Sequence, residues 1–544
     1  MSEHLDVGEL ARRLYQCRNV NHLSEKQARE MALPFAQVTE FGNLNFHSNV
    51  RNRSAGLTVY VGSERVRQQP LSPRQQAILS NLPQTLEKVH RYLDRAPIVC
   101  TQRTMGDNLE FNPHCTLYVC TYAKDTVRIV HMWGATLLPY RPQLPGPELS
   151  LIYVPEWPEQ ERQILVFPEE GVTLVLGSDY MGEAKKGFLR MAMWFAKQQG
   201  MLGVHAGSKI VEARGPDGKL RRYSMLLFGL SATGKTTHSC HTHGLDGDEG
   251  EGMEVVQDDV CFLCRDGSAL GTERGFYLKT EGLDPHSQPL LYHAAIQPDT
   301  IFENVMVDAE GHVDFQDETI TSNGRGVVQM AHFAPYASDS INVPPVSELD
   351  GLLLVFITRR NTVVPVVSKM NAEQAAAAFM LGESIESSAG DPRRAGESVR
   401  VVGTNPFIVG DETAEGNWIY EFLKGHGDKV QAYLINTGGV GEIREKLPDG
   451  TTRLTREVTR IQIPETSALF RAIVRGQVEW VDEPYFGTQV PARIEGVDVR
   501  RFDVESHYST QEIGGYVEEL KRERRDYLEQ FPGLAPAVVT AMAD

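Results

Sequence analysis

The chain has 544 residues, room for two or three domains with large cores. Its 54 Lys and Arg against 72 Asp and Glu leave a formal charge of −18, which argues against nucleic acid as a partner. The same balance requires that any site for phosphates or carboxylates gather positive charge locally. The longest apolar run, Leu352 to Ile357, is too short to cross a membrane, and Met1 to Asp6 lacks the basic, apolar pattern of a secretory signal. With only seven cysteines, the expectation is a reduced, cytoplasmic protein with no membrane partner.

Residues 1 to about 45 read as a helical segment of mixed charge. Asn49 to Gly56 forms a basic loop before the strand-like Leu57 to Val61; its arginines are either solvated or offered to an anion. Ser72 to Asp94 carries Ile78, Leu79, Leu82, Leu86, Val89 and Leu93 near helical spacing, with Ser72-Pro73 as a start and Pro83 as a kink or break. Strand-like runs follow at Pro97 to Thr101, Thr116 to Thr121, Val127 to Met132 and Leu149 to Val154. Lys185 and Lys186 stand beside glycines ahead of an apolar helix, Phe188 to Lys197. His205 follows among small and apolar residues, open to being a core histidine or a ligand.

The most informative stretch is Gly229-Leu230-Ser231-Ala232-Thr233-Gly234-Lys235-Thr236-Thr237, which fits the phosphate-loop pattern G-x-x-x-x-G-K-[ST] after a buried strand, Tyr223 to Phe228. Its backbone N–H groups can turn toward an anion at the start of a helix near Lys235. Lys235 can reach outer phosphates, and the Thr236 hydroxyl can hold a divalent metal. His238, His241 and His243 come next, and Gly244 to Glu254 reads as an acidic, Gly-rich surface insertion. The strand Val255 to Val260 carries Asp258 and Asp259; alternation gives only one of them direct access to metal. Cys261 and Cys264 read as two buried structural thiols. Further on, Gly351 to Arg360 is a buried strand, Asn371 caps a helix with Gln374, and Gln431 to Gly438 runs from a strand into a turn. Arg460 to Thr466 precedes another helix, and Glu518 to Phe531 is a charged tail helix.

Between about Arg53 and Ala472 the chain resembles ATP-type phosphoenolpyruvate carboxykinase. The family's Tyr-Gly-Gly-Glu-Met-Lys-Lys-Gly is similar to Tyr180-Met-Gly-Glu-Ala-Lys-Lys-Gly187, and its metal-binding histidine, nineteen residues past the second lysine, falls on His205. Its phosphate loop differs only at Ala232, and its Asp-Asp pair matches Asp258-Asp259. Further resemblances run through Phe276 to Thr280, Ile301 to Val305, Asn323 to Arg325 and Arg460 to Thr466. Departures fall on Asn52-Arg53-Ser54-Ala55, where Arg51 rivals Arg53, and on Val260 to Leu263 after the acidic pair, where a shifted nucleotide or acid preference could arise.

The resemblance implies an α/β fold in two domains, residues 1–210 binding substrate and 211–544 binding nucleotide. It implies conversion of oxaloacetate and ATP to phosphoenolpyruvate, CO2 and ADP. Lys186, His205 and Asp259 would ligate Mn2+, with Lys185 adding charge nearby and Asp258 ordering water. Thr236 would hold Mg2+ and Lys235 would neutralise phosphate. Arg53, Arg325 and Tyr180 would bind the acid. Gly229 to Thr237, Lys279, Glu303, Arg460, Ile461 and Thr466 would border the nucleotide. Two other readings use the same fold, a phosphate-loop kinase of another small acid or a protein, and a nucleotide-binding regulator without turnover. The expected assembly is a monomer or small homo-oligomer.

Overall fold

Pairing of Ile98–Thr104 with His114–Cys120 starts a mixed sheet whose full order is Val20–His22, Ile98–Thr104, His114–Cys120, Glu148–Val154, Val172–Leu176, Gln163–Phe167 and Thr58–Tyr60, with Leu138–Pro139 added on Ile98–Thr104. The computed structural model describes residues 6–67, 70–159, 161–230, 233–385, 397–446 and 452–542. Leu10, Leu14, Val89 and Leu93 of the early helices pack with Ile98, Ile152, Leu165 and Leu174 of this sheet. A second sheet orders Gly275–Lys279, Arg325–Gln329, Ile301–Glu303, Leu44–Phe46 and Gln37–Val38.

The chain divides into two compact units. One comprises Met1–Gly203, Leu270–Asn342 and Phe407–Asp411, the other Val204–Ala269, Val343–Pro406 and Glu412–Asp544. A single boundary near residue 210 therefore describes only the first crossing, because two later segments return to the first unit, and His205 belongs to the second.

The second unit is built on a sheet ordered Gly252–Gln257, Ala206–Arg214, Leu220–Gly229, Gly351–Thr358, Val430–Asn436, Val367–Met370, Gln489–Arg493 and Glu479–Asp482. Leu220–Gly229, Gly351–Thr358 and Val430–Asn436 are parallel neighbours. Every residue of Gly351–Thr358 is buried, as a parallel strand covered on both faces requires. The ends of these strands set Gly229, Thr358 and Asn436 side by side, the edge at which open α/β sheets bind ligands.

Two sequence expectations change and one, the break near Pro83, is made definite. Val127 to Met132 is no strand but part of a helix, Val127–Thr136. All ten of its residues are buried, so no polar face marks the helical period. Ser72 to Asp94 breaks into two helices, Pro73–Ser80 capped by Ser72 and Leu82–Leu93 with Pro83 in its first turn, where proline is tolerated. The 244–254 insertion is not simply a surface loop: Glu251 is buried and accepts both Nε and Nη2 of Arg475. All seven cysteines are free thiols, with Cys261 buried and Cys264 half-buried.

Candidate functional site

The phosphate loop leaves Leu220–Gly229 at its C-terminal end and feeds the short helix Lys235–Ser239 through Gly234, whose φ of 99° is natural for glycine. Ser231 and Ala232 lie outside the described residues. Thr233 is buried, its hydroxyl donates to the Leu230 carbonyl at 2.8 Å, and its own carbonyl accepts from the Thr437 hydroxyl at 2.8 Å. Lys235 turns back over the acidic pair: Nζ donates to the Asp258 carbonyl at 2.9 Å and lies 3.9 Å from Asp259 Oδ1. Thr236 and Thr237 follow in the helix, half-buried.

His205 occupies the same corner of the second unit. Its Nδ1 lies 2.7 Å from the Thr404 carbonyl, which can only accept, so Nδ1 carries a proton and Nε2 is left to other partners. That Nε2 faces Asp259 Oδ1 at 3.1 Å and Lys235 Nζ at 3.4 Å. A backbone carbonyl fixing the tautomer of an imidazole opposite a carboxylate is how proteins orient a histidine ligand. Thr404 presents its carbonyl from φ 52°, beside Gly403 at 59°. A β-branched residue there is strained, and such strain concentrates at functional sites. The acidic pair begins just past the strand, which ends at Gln257. Asp258 directs its carboxylate elsewhere: it raises the pKa of Cys240 alongside burial, and its Oδ1 is buried without a hydrogen-bond partner. Among the described residues no three His, Cys, Asp or Glu side chains form a metal cluster, so His205 and Asp259 need ligands of other types to complete a shell. The His238, His241 and His243 rings are no such cluster; they stack on one another, and His238 and His243 also lie against Phe470.

At the far end of the second unit's candidate set, Arg460 is exposed and its carbonyl accepts from Arg501. Ile461 is buried and donates from its N–H to the Gly438 carbonyl. Thr466 is buried inside helix Ile463–Val474, with its hydroxyl donating to the Gln462 carbonyl.

The first unit gathers the remaining candidates. Lys185 and Lys186 lie within helix Met181–Gln198, not ahead of it. Its glycines mark close packing: a Cβ on Gly187 would come 2.5 Å from Leu151, and one on Gly182 2.4 Å from the Tyr180 ring. Lys186 Nζ and Arg53 Cζ each stand 4.7 Å from the centroid of the Phe407 ring, which brings two cations to one aromatic surface. Burial and neighbouring Arg190 lower the Arg53 pKa, against the opposing pull of Glu183. The Arg53 loop is held from below, with Asp179 accepting from the Asn49 and Val50 N–H groups at 2.8 Å and from buried Arg128 at 2.9 Å, and Glu183 accepting from the Ser54 N–H at 2.5 Å. Arg51 is exposed and donates to the Ile320 carbonyl. Arg325 Nη2 donates to Asn323 Oδ1 at 2.6 Å, and Asn323 donates to the Tyr180 hydroxyl at 3.2 Å.

Three carried-over roles do not suit these surroundings. Lys185 is buried and ion-paired to buried Glu273, so its charge is compensated inside the first unit. Glu303, expected beside nucleotide, is fully buried in the same unit and accepts from the Met181 N–H and the Tyr277 hydroxyl; burial raises its pKa. Lys279 lies in the first unit too, paired with Glu281 and in register with Arg325. Thr404, Phe407, Asp179 and Arg128 carry no motif and escaped the sequence reading.

A strand, a glycine-bearing loop with its lysine and threonine, and a histidine facing a carboxylate beside them define a phosphate-loop enzyme of the α/β class. The chain belongs to the ATP-type phosphoenolpyruvate carboxykinase family: the family model, Phosphoenolpyruvate carboxykinase, matches residues 13–500. A phosphoenolpyruvate carboxykinase (ATP) from Aeropyrum pernix is 34% identical over 376 residues, 68% of this chain and 70% of that protein. Proteins of the same name from Rhizobium rhizogenes and Lysinibacillus sphaericus are 28% and 30% identical, over 67% and 62% of this chain and 64% and 58% of their own. No described helix is long and apolar enough to cross a membrane.

Proposed function

We propose that the chain converts oxaloacetate and ATP to phosphoenolpyruvate, CO2 and ADP. The observation that carries this reading is the setting of His205, with Nδ1 committed to the Thr404 carbonyl and Nε2 facing Asp259 beside Lys235. A kinase that needs only magnesium on its phosphates has no use for a histidine held in this way. Family membership supports the same activity.

Each unit's residues answer one demand of the reaction. Arg53, Arg325 and Tyr180 bind the dicarboxylate, the guanidiniums fork-to-fork with its carboxylates. Loss of CO2 leaves an enolate whose oxygen needs positive charge. Lys235 neutralises the β- and γ-phosphate oxygens, and Gly229 to Thr237 cradles the chain so that attack proceeds in line. His205 and Asp259 suit Mn2+, Lys186 in the first unit is a further candidate ligand as a neutral amine, and Thr236 suits Mg2+. When bound, these cations supply the charge that offsets enolate and phosphate together. We place the protein in the cytoplasm, in keeping with its seven free thiols.

Incubation with ATP, Mn2+ and oxaloacetate tests the reading; formation of phosphoenolpyruvate no faster than without protein rejects it. His205→Ala is expected to lose Mn2+-stimulated turnover while ATP affinity, measured by calorimetry, changes less than about threefold. Undiminished turnover would make His205 a core histidine.

A further inference from the structure

Arg359 immediately follows Gly351–Thr358, the strand between the one that leads into the phosphate loop and Val430–Asn436. Its neighbours point the other way. The Thr358 hydroxyl donates to the Glu383 carbonyl at 2.6 Å, and Arg360 Nη2 lies 2.8 Å from Glu383 Oε2. Alternation sends the Arg359 side chain to the opposite face. Arg460 is close enough that its charge joins burial in lowering the Arg359 pKa; no carboxylate raises it in return.

The backbone around Arg359 is tied to the nucleotide elements on both sides. Thr437 donates its N–H to the Thr358 carbonyl at 2.9 Å and its hydroxyl to the Thr233 carbonyl of the phosphate loop. Gly439 donates to the Arg360 carbonyl at 2.9 Å and pairs in register with Arg460. Arg359 thus stands between the phosphate loop and Arg460, at the ligand-binding edge of the sheet.

Among the described residues no ion pair forms with Arg359, and its Nε is buried without an acceptor. Withdrawing a guanidinium from water is costly unless it is paired, and a second arginine nearby adds repulsion. The chain has 72 acidic residues from which a partner could have come. A phosphate would satisfy the fork and screen the two arginines from each other.

We infer that Arg359 is a nucleotide-binding residue that takes the phosphate chain of a nucleoside di- or triphosphate, with Arg460 on its flank. This rests on the proposed binding of nucleotide by the second unit. The rival anion is a substrate carboxylate.

Titration calorimetry of the full chain with Mg2+ and, in turn, ATP, ADP, inorganic pyrophosphate and adenosine provides the test, on wild type, Arg359→Met and Arg359→Lys. A lost charged hydrogen bond predicts roughly ten- to hundredfold weaker ATP, ADP and pyrophosphate binding in Arg359→Met, with adenosine unaffected. Arg359→Lys should recover part of it. Because the guanidinium has no ion-pair partner among the described residues, Arg359→Met should melt no lower than wild type. ATP and ADP affinities within twofold of wild type would overturn the inference, as would equal losses for adenosine and ATP, or a KM effect confined to oxaloacetate. Wild type that fails to bind ATP would overturn the nucleotide reading itself. If Arg359→Met does not fold, Arg359→Lys decides, because lysine keeps the charge but loses the fork; unchanged ATP affinity there overturns the inference.

Discussion

Lys185 holds a cation where water does not reach: its side chain is 1% exposed and that of its partner Glu273 is 2% exposed. Its neighbour Lys186, one position along the same helix, is half-buried over Phe407. Adjacent residues on a helix point about 100° apart, so one sequence pair serves two purposes. Removing one member of a buried pair strands the other. Lys185→Met is therefore expected to cost about 3–5 kcal/mol of stability, and Lys185→Met with Glu273→Leu should recover most of it. Urea denaturation measures both. A Lys185→Met protein as stable as wild type but without turnover would return Lys185 to the reacting centre. At this scale the sequence pointed to neighbours wherever chemistry is tied to spacing: His205, Lys235 and Asp259 stand at fixed intervals and meet in the second unit. Thr404 and Phe407 could not be read, because a carbonyl acts without regard to side-chain identity and an aromatic surface has no motif.

Among the elements, helix Lys235–Ser239 has its C-terminal end fixed by a buried lysine. Lys209 Nζ lies 2.8 Å from the His238 carbonyl, 3.1 Å from the His241 carbonyl and 2.6 Å from His243 Nε2. Burial pulls its pKa down to about 7. A neutral amine fits these partners, donating to both carbonyls and accepting from the imidazole N–H. Between about pH 7 and the usual lysine value of about 10.4, the unfolded chain keeps the proton that the folded one has released. Stability from this group therefore rises with pH through that window and is lost as pH falls toward 7. Unfolding free energies at pH 7 and 9 should show wild type gaining on the order of 2 kcal/mol relative to Lys209→Met. Parallel curves for the two would mean that Lys209 stays charged. Element boundaries were legible where caps announce them, as at Ser72 and Asn371, each closing a capping box. They were not legible in Val127–Thr136, whose continuous burial erases the period, nor at Lys185, where the helix starts ahead of the lysines and its glycines serve packing.

For the molecule as a whole, the puzzle of an acidic chain that takes anionic ligands is eased by local segregation of cations. Arg53 and Lys186 gather in the first unit, and Lys235, Arg359 and Arg460 belong to the second. Nucleotide binding should consequently register as stability. ATP with Mg2+ at about a hundred times its Kd adds ~2.7 kcal/mol, and the melting temperature should rise accordingly. Lys235→Met should abolish most of that shift without lowering the melting temperature of the unliganded protein by more than a degree or two. An undiminished ATP shift in this variant would remove Lys235 from the phosphates. The sequence conveyed two units and their order of appearance, but not their interleaving, because strand pairing between distant segments leaves no local trace.

That interleaving bears on how the polypeptide is made. Leu44–Phe46 emerges from the ribosome early, yet its sheet partner Ile301–Glu303 is translated more than 250 residues later, and Phe407–Asp411 later still. At some 5–20 residues per second, the nascent first unit waits tens of seconds with an open edge while the phosphate-loop strand passes by. The first unit therefore closes only after two segments of the second have also been made, and the second, which needs Glu412–Asp544, closes later still.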